Sequence, residues 1–108
     1  MTEELITITE ATRNALKALS GQSRLDVAIK IVIEQLIQLR IKAAQARITV
    51  FEQKYGMQFT DFEEACKIGR IENPYSYEVE KDNWNWDAAI VEIEDLMECK
   101  QLAEEIKI

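Results

Sequence analysis

The chain contains no histidine. That absence removes the side chain that most often serves as a general base near neutral pH, and with it Ser-His-Asp and Cys-His nucleophile arrangements. It also removes most zinc and iron sites, including the Glu-x-x-His pairs of di-iron helical bundles. Glycine occurs three times and proline once in 108 residues. Three isolated glycines build no phosphate-cradling loop. So few breakers also disfavour turn-rich β folds and favour a few long helices. The two cysteines, Cys66 and Cys99, form no Cys-x-x-Cys pair. No disulfide framework is expected, and two idle thiols in a reducing compartment are. No run of about eighteen uncharged apolar residues occurs, so no membrane-spanning helix is expected. The opening MTEELITITE lacks the basic start and apolar centre of a signal peptide. The expected location is cytoplasmic.

Clustered positive charge is also missing. The thirteen basic residues never stand side by side, and the net charge is −7. Direct nucleic-acid binding and a basic membrane-surface helix are therefore not expected. An acidic surface keeps a protein soluble, and it also attracts a basic partner protein. With 47% apolar and 31% charged residues the chain is too apolar for disorder, and its length suits one domain over 1–108.

What the chain does have is a rod. From Ser23 to Tyr55 there is neither glycine nor proline. Leu25, Ile29, Val32, Leu36, Leu39, Ala43, Ala46 and Val50 recur at three- and four-residue steps and form one helical stripe. Val27, Ile31, Ile33, Ile37, Ile41, Ile48 and Phe51 lie largely outside it, so the apolar face is wider than one neighbour can cover. The segment VAIKIVI is β-branched and strand-like, yet nothing breaks the chain for about thirty residues, far beyond the usual strand. At about 1.5 Å per residue the helix is about 50 Å long, against a diameter of about 35 Å for a compact domain of this size.

Other helices are expected near 2–19, 60–68 and 75–107, with the rod at 23–55. Gly21, Gly56 and Gly69 each stand where a left-handed residue closes a helix. Ser23-x-x-Asp26 is a weak capping box and Thr60-x-x-Glu63 a full one. Asn73-Pro74 offers a cap and a first-turn proline. Two starts stay open: ITIT at 6–9 is either helical or an extended lead-in to a helix capped by Thr9, and the last helix starts near 75 or at Asp82 or Asn83. Two long helices joined by about twenty residues should pack antiparallel. The expected fold is all-α, a long antiparallel helical hairpin with a short helix at the turn and an N-terminal helix alongside, forming a dimeric bundle.

Only a carboxylate site is worth weighing as chemistry. All-α nucleotide pyrophosphohydrolases hold magnesium with a Glu-x-x-Glu helix followed by Glu-x-x-Asp, because hard cations take several oxygens. Glu92-x-x-Asp95 matches the second half. The first half is absent, since Glu63-Glu64 is followed by Cys66 and Lys67. No catalytic residue, metal or cofactor is expected. Tyr75, Tyr77, Trp84 and Trp86 either fill the end of the hairpin against Tyr55, Phe59 and Phe62 or project as partner anchors. Val79, Trp86, Ile90, Ile93 and Met97 run three, four or seven apart as the main stripe of the last helix. Because Trp84 and Trp86 lie about 200° apart on a helix, one of the two must leave it. The four aromatic residues are the candidate partner-binding set, and Ile33, Ile37, Ile41 and Ile48 the candidate oligomerisation set.

Within residues 51–90 stand Lys54-Tyr55-Gly56, Phe59-x-x-Phe62-Glu63, Ser76-Tyr77-Glu78-x-Glu80-x-Asp82 and Trp86. This stretch resembles a group of small helical proteins of cyanobacteria and archaea, some encoded beside small toxins. The resemblance implies an antitoxin-like component, a non-enzymatic module that binds and covers a partner toxin. The alternatives are a homo-oligomeric scaffold subunit and a magnesium-dependent nucleotide hydrolase.

Overall fold

The computed structural model describes residues 7–106, and among these the chain forms four helices and no strand. They are α1 (Glu10–Ser20), α2 (Leu25–Tyr55), α3 (Phe59–Lys67) and α4 (Tyr77–Glu104). The molecule measures 58 × 31 × 20 Å with a radius of gyration of 20.1 Å, against about 13 Å for a globule of this length.

Helix ends follow local chemistry, with several departures from the expected caps. Thr7–Thr9 are not helical. The Thr9 hydroxyl accepts the Thr12 N–H at 3.2 Å and starts α1 at Glu10, so the extended lead-in holds for these residues. The expected helical stretch 2–6 lies outside the described residues, as does Lys107. The Ser23 box does not form. Arg24 occupies the cap of α2 without a side-chain bond, and Asp26 instead accepts its neighbour's Val27 N–H and pairs with Arg24. The Thr60 box fails because α3 begins one residue earlier, at Phe59. Asn73-Pro74 does not open α4. Asn73 takes a left-handed φ of 50°, and Ser76 caps the helix by accepting the Val79 N–H. From there α4 runs unbroken through Asp82 and Asn83.

The two long helices pack together, and early residues of α2 meet late residues of α4 while late residues of α2 meet early ones. Ile37 and Ile41 cluster with Leu96 and Ala103, joined by Ile33 and Ile106. Toward the other end Trp86, Phe62 and Val79 form a second cluster with Ile48, Phe51, Tyr55 and Phe59. Trp86 is its centre, fully buried. Phe51 and Tyr55 stack on its ring at 5.6 and 6.0 Å, and Phe59 and Phe62 close in at 5.3 and 5.1 Å. Such aromatic pairs add to the area they bury. Arg40 and Arg47 both reach Glu92 along one edge of the helix pair.

This packing corrects the expected oligomer face. Ile37 and Ile41 are buried inside the chain, Ile33 is half-buried against them, and Ile48 is half-buried against the Trp86 cluster. The reason is aromatic bulk. Phe51 and Tyr55 share a face with Ile37, Ile41, Ala44 and Ile48, so stacking on Trp86 turns that face toward α4. The stripe Leu36, Leu39, Ala43, Ala46 and Val50 then points about 150° away, and all five are exposed. α4 is two-faced in the same way. Val79, Asp82, Trp86, Ala89, Ile93 and Leu96 face inward, while Tyr77, Trp84, Ala88 and Val91 face out.

The indole Nε1–H of Trp86 has no protein acceptor among the described residues, so its value to the fold is volume and stacking. Trp86→Ala is expected to lower unfolding free energy by about 3–5 kcal/mol. Trp86→Phe should cost less than half as much, because no hydrogen bond is lost. Urea unfolding monitored by circular dichroism checks both.

Candidate protein-interaction surface

The candidate surface forms where α3 turns back into α4. Gly69 at φ 79° lets the chain reverse out of α3, and the Arg70 N–H closes the helix end on the Ala65 carbonyl at 2.9 Å. The connection then runs across the end of the aromatic cluster and leaves Tyr75 outside. One turn on, the Ser76 cap fixes where α4 starts and therefore which residues face inward.

The four expected partner residues separate. Tyr75, Tyr77 and Trp84 are 85%, 77% and 71% exposed, whereas Trp86 is 0%. Trp86 is thus a correction to the candidate set: a side chain enclosed by Phe51, Tyr55, Phe59 and Phe62 presents nothing to a partner. The other three do share one side of the molecule. Tyr75 and Trp84 line a hollow of about 290 Å³ with Cys66, Lys67, Pro74, Glu80 and Asn83. Tyr77 stands beside it, with the Lys81 amine 6.0 Å from its ring centre. The Cys66 thiol in the hollow is pushed up by burial and by nearby Glu63, which keeps it protonated and a poor nucleophile.

A polar clasp holds this end of α4 against the end of α2. Asp82 Oδ2 accepts from the Tyr55 hydroxyl at 2.5 Å and from Lys54 Nζ at 2.6 Å, and Lys54 also donates to Glu78 at 2.8 Å. Burial works against the Asp82 charge, but the two donors outweigh it and hold the carboxyl below its ordinary range. Burial first, then donation to Asp82, push the Tyr55 phenol up to about 12. Lys54 keeps its proton above the usual lysine range because Asp82 and Glu78 accept from it. Neither Lys54 nor the Tyr55–Asp82 pair was expected as a functional support. Their spacing across two helices becomes visible only once the register is known.

As for chemistry, Glu92 of the half-motif Glu92-x-x-Asp95 is occupied by two guanidinium groups. Hydrogen bonding to Arg40 leads the causes that lower its pKa. Among the described residues no three of His, Cys, Asp and Glu converge as metal ligands. No helix there is long and apolar enough to cross a membrane.

The clasp predicts a pH response at both ends. A depressed Asp82 gives stability that is whole above about pH 4 and lost as pH falls below the folded value. A raised Tyr55 gives stability that is whole below about pH 10 and lost as pH rises through about 12. Spectrophotometric titration of the phenol band should show an ionisation near pH 12 that disappears in Tyr55→Phe and moves down in Asp82→Asn. Compared with family models, curated proteins and solved structures, the chain matches none.

Proposed function

We propose that this chain is a non-enzymatic protein-interaction module of the cytoplasm, built as an antiparallel helical hairpin that covers the surface of a partner protein. The observation that carries the reading is the exposure of Tyr75, Tyr77 and Trp84 together on one side. Three large rings held in water forgo the ordinary gain of burial, and Tyr and Trp are the residues most enriched where partners anchor. Tyr77 and Trp84 are mounted on a capped helix clasped to its neighbour, so little conformational freedom has to be lost on binding. The resemblance over residues 51–90 supports a small toxin as the partner, with this chain as its antitoxin-like cover.

A tagged chain purified from its native host is expected to retain a protein partner in fixed ratio. Tyr77→Ala with Trp84→Ala should weaken that association at least tenfold while helix content and melting temperature stay unchanged. A chain that carries no protein partner, or a double variant that holds it as tightly, overturns the reading.

A second reading, a homo-oligomeric scaffold, is favoured by the outward stripe of α2. Leu36, Leu39, Ala43, Ala46 and Val50 repeat in the 3–4 pattern of a coiled-coil seam, and Leu36, Leu39 and Val50 are each more than half exposed. Sedimentation equilibrium should then give a dimer that Leu36→Glu with Leu39→Glu converts to a monomer. A wild-type monomer at all concentrations removes this reading.

A further inference from the structure

The outer face of α4 is ruled in two parallel rows. Tyr77, Trp84 and Val91 stand seven residues apart, and Glu80, Asp87 and Glu94 stand seven apart beside them. Each acid follows its apolar neighbour by three positions, about 60° round the helix, so every pair shares a face. All six side chains are exposed. None of the three carboxylates forms an ion pair among the described residues. Successive pairs are about 10.5 Å apart along the axis, the spacing of a heptad repeat.

We propose that this face receives an amphipathic helix of a basic partner, with apolar residues meeting Tyr77, Trp84 and Val91 and lysines or arginines meeting Glu80, Asp87 and Glu94. The proposal rests on the interaction reading above and names the chemistry of the partner. Charge is the first support. α4 carries nine carboxylates against two lysines, and with Glu78, Asp82 and Glu92 paired to α2 six are left, so its outer surface is negative. The second support is asymmetry: Lys81, 6.0 Å from the Tyr77 ring, flanks the apolar row on the side away from Glu80, so cations of a partner are directed to the acidic row.

A second copy of this chain is a poorer occupant. Of the five basic residues on α2, Arg40, Arg47 and Lys54 are spent on α4 and Lys30 on Glu34, which leaves Lys42. One free lysine does not match three carboxylates seven residues apart, nor do Arg13 and Lys17 of α1, four apart, Lys67 of α3, alone, or Lys81 and Lys100 of α4, nineteen apart. A foreign helix with cations at heptad spacing does.

The test uses the full chain and a synthetic three-heptad peptide with leucine at the two core positions and lysine at the flanking ones. Titration is followed by tryptophan emission, because Trp84 is exposed and moves out of water on docking whereas Trp86 is already enclosed. A saturable blue shift is expected, and it should vanish in Trp84→Phe. Affinity should fall at least tenfold in the triple variant Glu80→Gln, Asp87→Asn, Glu94→Gln. The α3 control Asp61→Asn, Glu63→Gln, Glu64→Gln removes the same charge elsewhere and should change affinity less than twofold. The proposal is overturned if the lysine peptide gives no shift, if a glutamate-flanked peptide binds as well, or if the two triple variants behave alike. A natural partner that needs Trp84 yet ignores the α4 charge removal also overturns it, and leaves the broader interaction reading standing.

Discussion

α2 has two apolar faces about 150° apart, and α3 and α4 cover one of them. Everything else in the architecture follows from how that conflict is resolved. The hydrophobic effect favours burying either face and is blind to which. The face with Ile37, Ile41, Ala44 and Ile48 turns inward because it alone continues into Phe51 and Tyr55, whose rings match Trp86. Rings that stack give direction to a force that otherwise has none.

Charge then fixes the choice from the edges. Arg40 and Arg47 converge on Glu92 along one edge of the helix pair, and Lys54 meets Glu78 and Asp82 near its end. Exposed ion pairs contribute little to stability one by one. Their effect here is on rotation. Rolling α2 to present its other face would carry these cations away from their carboxylates and leave Asp82 and Tyr55 half-buried without each other. Selecting one arrangement in this way matters more than the strength of any single pair, because the competing arrangement is also apolar.

Much of the fold was legible in the sequence. Gly21 and Gly56 mark the ends of α1 and α2, since each supplies a left-handed residue where the helical spacing stops. The unbroken run from Leu25 to Tyr55 made a long helix unavoidable. The start of α4 was less legible, because Asn73-Pro74 is a good local signal that the chain spends on a turn, leaving Ser76 to cap. The choice of face was not legible at all. It depends on Phe51 meeting Trp86 across thirty-five residues of sequence, and no local pattern carries that information. On α4 the spacing did place Trp86 on the main stripe with Val79, Ile90 and Ile93, and Trp86 is buried while Trp84 is exposed; Met97, on the same stripe, is 48% exposed.

α1 presents a different consequence. It packs on α2, yet none of its residues is buried. The stretch of α2 that it flanks includes the half-buried Leu25, Ile29 and Val32, which continue the outward repeat upstream of Leu36. The whole repeat from Leu25 to Val50 is about 38 Å long, and the exposed part from Leu36 to Val50 is about 21 Å of it. α1 therefore divides one continuous apolar repeat of α2 into a sheltered upstream part and a bare downstream part.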